Sequence, residues 1–287
     1  MKSADPVELR TLAIALLASL LLWNLPFGGV LLYPFKVLAT WLHELSHGLA
    51  MMLTGVGFDR VVIYRDTSGL AYAQSGAGPF AMAVIAAAGY MGTPLWGAAL
   101  LVITPSARSS RIALLVLAGF LGLSAITVVA SPRGDDFGPW AVGALAGASA
   151  ALALALPGRW RVAVAHFMAA QACVNALLDI RVLMRPAQVV NGQDAGASDA
   201  HTMAAATFGT TQPWAVWFWA VVWLAWSLAV LYIALRFSGS QALARVAPFS
   251  RPTASPRGED DRDARRRSLA TAPGERDPSA PADTAGS

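Results

Sequence analysis

The chain has 287 residues, of which 56% are hydrophobic and only 13% are charged, and its mean hydropathy is +0.52. Soluble domains carry about 25% charged residues, so this composition excludes an ordinary soluble domain and predicts a membrane protein. The formal net charge of +4 is small, and the apolar body shows no nucleic-acid-binding signature. One cysteine, Cys173, excludes an internal disulfide framework and is expected to be a packed thiol.

Apolar runs recur along the chain and predict an all-α polytopic fold with six to seven transmembrane helices, because about 20 apolar residues cross a bilayer. The first run is longer than the apolar region of a signal peptide and lacks a convincing cleavage site, so we interpret it as a retained helix. Breakers and charged residues separate most runs, as loops require. The runs cover residues 9–26, 30–54, 79–104, 111–131, 139–157, 161–184 and 213–237.

Three polar segments complete the predicted organisation. Residues 55–78 hold two short strand-like runs, 61–64 and 70–73, around a Thr-Ser-Gly turn, which predicts a small β-hairpin after the second helix. Residues 185–212 read as a polar, flexible connection. From residue 238 onward the chain has no apolar periodicity, which predicts a membrane domain over 1–237 and a disordered polar and basic tail over 238–287.

The sequence Trp41-Leu-His-Glu-Leu-Ser-His-Gly48 places ionisable side chains inside the second apolar run. Such groups are costly in hydrocarbon and therefore indicate function. His43 and His47 are four residues apart, so both imidazoles project from one helical face. This H-E-x-x-H pattern predicts that His43 and His47 bind Zn²⁺ and that Glu44, unligated, takes a proton from water. A polar core pair or a proton relay are the alternative interpretations.

A catalytic zinc ion needs a third protein ligand and an open position. Asp179 is the predicted third ligand, because it is an acidic residue within the apolar interior of a late membrane run. Asn175 lies four residues earlier on the same helical face, where it would hydrogen-bond the carboxylate or hold the substrate backbone. The alternative for Asp179 is a salt bridge to Arg181 or Arg185 at the membrane edge.

Other candidate ligands are weaker. His166 begins the same apolar run but lies more than three helical turns from Asp179, which favours a satisfied helix histidine. Asp194, Asp199 and His201 follow in the polar connection, where they either order that segment or approach the site from outside.

These motifs resemble the site-2 protease family of intramembrane zinc metallopeptidases, and more closely its compact bacterial branch of peptidase B-like proteins. The resemblance rests on HELSHG in an early helix, a Gly-rich hairpin after it, the stretch AAAGYMGTPLWGAAL over 86–100 and a late membrane aspartate. It covers about residues 34–236 and implies His43, His47 and Asp179 as zinc ligands and Glu44 as the catalytic base. It also implies that the hairpin lines the substrate path and pairs with an extended substrate strand.

The second motif departs from the family pattern. Better-known members carry Asn, Pro and a Leu-Asp-Gly run there, whereas this chain has Asn175-Ala-Leu-Leu-Asp179-Ile without the proline or the glycine. The departure weakens the role of Asn175 more than that of Asp179. No segment resembling a peptide-binding domain is inserted between the helices.

The sequence therefore predicts a multi-pass zinc endopeptidase of the cell membrane, the inner or plasma membrane, that cleaves membrane-protein or peptide substrates. The bilayer is its other partner, and nucleic acid is not expected. Two alternatives stay open: a metal-binding scaffold without catalysis, and a transporter using His43, Glu44 and Asp179 as a relay. Glu44 favours the enzyme, and the absence of a convincing internal repeat counts against the transporter.

Overall fold

The structure is a computed structural model, and it describes residues 17, 21–22, 25–131, 135–183, 189–194 and 196–246. The predicted first helix over 9–26 and the tail beyond 246 therefore lie almost wholly outside the described residues. The last described helix continues past the predicted start of the tail at residue 238.

The described chain is mainly helical, which confirms the predicted fold class. Its helices are α1 (Gly28–Leu53), α2 (Pro79–Ile103), α3 (Ala107–Thr127), α4 (Phe137–Ala155), α5 (Gly158–Leu183), α6 (Asp199–Phe208) and α7 (Pro213–Val246). Its strands are β1 (Phe58–Ile63), β2 (Gly69–Ala73), β3 (Val189–Val190) and β4 (Gln193–Asp194).

Five of the described helices are long and apolar enough to cross a membrane. Helix α1 is not among the five, because polar and charged side chains interrupt its apolar sequence. The candidate spans are Pro79–Ile103, Ala107–Thr127, Phe137–Ala155, Gly158–Ile180 and Pro213–Phe237.

The predicted hairpin is present. Strands β1 and β2 pair in antiparallel register, with Val61 opposite Ala71, and the Tyr64 amide donates to the Ser68 carbonyl across the turn at 2.9 Å. The turn includes Thr67 at a φ of 68°. On its other edge β1 contacts the segment after α3, since the Val61 amide donates to the Val128 carbonyl at 2.8 Å. Strand β1 is thus held on both sides, whereas β2 faces α1.

Residues 185–212 contain more structure than the sequence predicts. Strands β3 and β4 form a second hairpin, whose turn residues Asn191 and Gly192 both have positive φ, as a two-residue type I′ turn requires. Helix α6 follows, and Gly209 ends it in the left-handed conformation. Ala200, Met203 and Ala204 bury one side of α6, because the i, i+3, i+4 spacing brings them to one face.

Two apolar clusters hold these elements around α1 and α2. The first joins α1, β1, α3, α4 and α5 and includes Trp41, whose indole nitrogen donates to Ser124 Oγ at 2.7 Å. The second joins α2, α5, α6 and α7 around Trp223, which is 1% exposed. Cys173 is a buried free thiol, as predicted.

Candidate metal centre

The two motif histidines share one face of α1 in the structure. Their Nε2 atoms lie 3.0 Å apart, and their rings meet edge to face. The Nδ1 atom of His47 lies 2.7 Å from the carbonyl oxygen of Ile85 in α2. A carbonyl can only accept, so Nδ1 carries the proton and Nε2 keeps its lone pair for a metal ion.

The carboxylate nearest to these nitrogens belongs to Asp199, the first residue of α6. Its Oδ2 atom lies 3.3 Å from Nε2 of both His43 and His47. Each of these three side chains offers one metal-ligand atom, and the three atoms lie close enough together to hold one ion. Among the described residues, this is the group of His, Cys, Asp or Glu side chains that meets this condition. Burial raises the pKa of the Asp199 carboxyl, but the two histidine rings lower it by more, so the pKa lies below its usual value.

The spacing of these three atoms fits zinc. Ligands at about 2.0–2.1 Å in a tetrahedron are separated from one another by about 3.3 Å. The observed separations of 3.0, 3.3 and 3.3 Å match one triangular face of that tetrahedron. Two imidazoles and one carboxylate are also a donor set that catalytic zinc sites use, and they leave a fourth position open.

Helix α2 can approach the cluster because its residue there is glycine. A Cβ atom on Gly89 would lie 2.5 Å from Nε2 of His47 and closer still to Nε2 of His43. Such a methyl group would overlap the space that the ligand atoms face. The stretch over 86–100, which carries part of the family resemblance, thus supplies one wall of the centre.

Glu44 lies beside the cluster without belonging to it. It is 6% exposed, and the Ala71 amide of β2 lies near its carboxylate. Strand β2 comes this close because Gly69 has no side chain: a Cβ there would lie 2.8 Å from Cγ of Glu44 and 2.7 Å from Cγ2 of Thr40. The hairpin therefore positions the predicted base.

A cavity of about 450 Å³ connects these groups. Asp179 and Asn175 line it together with His43 and Glu44. Four of the five predicted site residues, all but His47, therefore lie on one cavity wall. Asp179 does not belong to the ligand cluster, and its predicted ligand role stays a prediction. The alternative partners Arg181 and Arg185 lie outside the described side chains.

The remaining candidates lie elsewhere. His201 is one turn into α6, and its Nδ1 is 2.8 Å from Ser198 Oγ. His166 lies near Thr104, at the far end of α2 from Gly89, and its Nε2 atom is buried with no hydrogen-bond partner among the described residues. Asp194 belongs to β4.

Sequence reasoning placed Asp199 only among the weaker candidates. An acidic residue in an apolar run is conspicuous, whereas Asp199 lies in a polar segment where acids are common. A local signal for this helix was available in the sequence. Ser198-Asp199 is a helix-start signal, apolar residues follow at 200, 203 and 204, and Gly209 is a helix-stop signal.

Comparison with known proteins gives one family. The model of a family described as Peptidase M50B-like matches residues 12–234. No curated protein and no solved structure matches the chain significantly.

Proposed function

Because the chain belongs to the Peptidase M50B-like family, a family of membrane metallopeptidases, we propose that it is an intramembrane zinc endopeptidase of the cell membrane that cleaves membrane-protein substrates. The observation that carries this proposal is the triangle of His43, His47 and Asp199 beside the buried Glu44. In the proposed centre, Asp199 takes the ligand role that the sequence suggests for Asp179.

Each residue has a distinct task in the proposed reaction. Zinc, when bound, would polarise the scissile carbonyl and make water acidic enough to lose a proton near neutral pH. Glu44 accepts that proton as the water oxygen adds to the carbonyl carbon. Glu44 then delivers the proton to the peptide nitrogen as the carbon–nitrogen bond breaks.

Water reaches this chemistry through the cavity. Polar groups within a bilayer are tolerated where they line a wet space. The cavity wall includes Lys36, Asp66, Ser68 and Asn175 along with the site itself, so it offers hydrogen-bonding groups to water and to a peptide backbone.

Strand β2 offers a template for the substrate. Val61 directs its amide toward Val128 on the far side of β1, so the Val61–Ala71 pair is not hydrogen-bonded within the hairpin. The backbone groups of Ala71 therefore point away from β1 and toward Glu44, as its amide contact with that carboxylate indicates. An extended substrate segment that adds to this edge would run past the base.

The experiment that tests the proposal measures zinc and cleavage on the same protein. Wild type purified in mild detergent is expected to hold about one zinc per chain and to cleave unfolded or membrane-derived peptides. Glu44→Gln is expected to retain zinc and lose cleavage by at least about 100-fold, since it removes the base alone. Wild type that binds no zinc after reconstitution would contradict the proposal, and zinc binding without cleavage of any peptide would favour a scaffold.

A further inference from the structure

Tyr90 of α2 lines the cavity but has no role in the proposed reaction as described so far. It lines the same cavity as His43 and Glu44 but is only 8% exposed. Glu44 and Asp179 line the same cavity wall as Tyr90. Among the described residues, no hydrogen-bond partner satisfies its hydroxyl. Because Tyr90 lines the cavity, its hydroxyl is available to a ligand there.

Aromatic packing holds the ring in one orientation. Its centroid lies 4.7 Å from that of His43 at an interplanar angle of 88°, and it stacks on Trp223 at 5.1 Å and 2°. Trp223 is itself 1% exposed. A donor held in this way needs no reorganisation when charge develops beside it, which is the property that makes such donors effective in catalysis.

Three neighbouring donors on the cavity wall each already make a hydrogen bond within the protein. The Asn175 amide nitrogen donates to the Gln171 carbonyl of its own helix at 2.9 Å. The Thr40 hydroxyl donates to the Thr67 carbonyl at 2.6 Å, and the Ser68 hydroxyl donates to Asp66. These three donors are therefore partly used within α5 and the hairpin turn, whereas the Tyr90 hydroxyl makes no such bond to the described residues.

We propose that the Tyr90 hydroxyl donates a hydrogen bond to the substrate oxygen that becomes negative when water adds to the scissile carbonyl. In this step the water oxygen bonds to the carbon, the π electrons of the carbonyl move to its oxygen, and Glu44 holds the proton lost by the water. Tyr90 keeps its own proton. When the carbon–nitrogen bond breaks, the carbonyl re-forms and Glu44 protonates the nitrogen. This role rests on the proposed peptidase function.

The test compares Tyr90→Phe with wild type, because phenylalanine keeps the ring packing and removes only the hydroxyl. We expect kcat to fall about 100- to 1,000-fold, as for loss of one oxyanion donor, with KM changed less than about threefold. Zinc content is expected to stay at the wild-type level. Tyr232→Phe is the matched control, since Tyr232 is an exposed tyrosine of α7, and it should leave both constants unchanged.

A second readout does not depend on turnover. A phosphinic peptide carries a tetrahedral anionic centre in place of the scissile carbonyl, and its Kd is expected to rise at least tenfold in Tyr90→Phe. The Kd of the uncleaved parent peptide, measured in a Glu44→Gln background with and without Tyr90→Phe, should not change. This contrast separates stabilisation of the charged state from general packing.

Three results would overturn the assignment: kcat of Tyr90→Phe within twofold of wild type, equal binding of the phosphinic peptide, or loss of zinc. Loss of zinc would show that the tyrosine supports the metal centre instead. If wild type binds zinc but cleaves nothing, the proposed peptidase function is wrong. The phosphinic-peptide measurement would still decide separately whether Tyr90 recognises a tetrahedral anion.

Discussion

Gly89 shows how a single missing side chain makes room for the proposed centre. Gly89→Ala would add a methyl group against the Nε2 atoms of His43 and His47, so we expect zinc affinity to fall at least about tenfold. Zinc titration by competition with a chromogenic chelator measures this change. Gly143→Ala in α4 is the control, because nothing lies within 4 Å of that position, and it should bind zinc like wild type.

The identity of the third ligand is a second question at the residue scale. Asp199→Ala should reduce the metal content from about one zinc per chain to near zero, because only the two histidines would remain from the triangle. Asp179→Ala should retain the ion. Metal analysis of the two purified variants by mass spectrometry decides between them. Retention in Asp199→Ala together with loss in Asp179→Ala would restore the assignment made from the sequence.

The limits of sequence reasoning are clear from these same residues. His43, Glu44 and His47 could be recognised because their relative placement depends only on the helical repeat. Asp199 is separated from His43 by 156 positions, so their contact depends on how α6 packs on α2. No local pattern encodes that packing.

At the scale of elements, the hairpin and α1 form one unit. Gly69→Ala would place a methyl group against Thr40 and Glu44, so the strand or the carboxylate must move. We expect cleavage to fall at least about tenfold while zinc content stays constant, since the atoms nearest to a Cβ at residue 69 belong to Thr40 and Glu44 and not to the zinc ligands. Peptide-cleavage kinetics with parallel metal analysis measures both quantities.

The control for this prediction lies in the same connection. Gly76 has open space around its Cβ position, so Gly76→Ala should retain full activity. Equal activity of the two variants would mean that β2 does not position the base. Loss of zinc in Gly69→Ala would mean instead that the hairpin supports the zinc ligands.

The elements themselves were predictable to different extents. The long helices could be predicted because a helix that crosses a bilayer needs a long apolar run. The first hairpin could be predicted because its two short strand-like runs flank turn residues. Helix α6 was not predicted because it has only 10 residues and its buried face consists of two alanines and one methionine. Its stability comes from packing against α2, which a single segment does not reveal.

At the scale of the whole molecule, the proposed ion joins distant parts of the fold. It would link α1 to α6 in addition to the apolar clusters, so its removal should lower the apparent melting temperature by about 5–10 °C. Thermal unfolding in detergent, before and after treatment with a zinc chelator, tests this effect. His47→Ala should melt near the chelated wild type and show no further change with chelator.

The separation of 156 residues between His43 and Asp199 also orders events during synthesis. At about 5–20 residues per second, the ribosome needs on the order of ten seconds or more after the histidine motif to reach the aspartate. Until then the nascent chain holds both imidazoles and the base but lacks the third ligand. In the proposed enzyme, a partly made chain in the insertion machinery therefore has no complete centre with which to cut its neighbours, and activity begins only when α6 has been made and has docked.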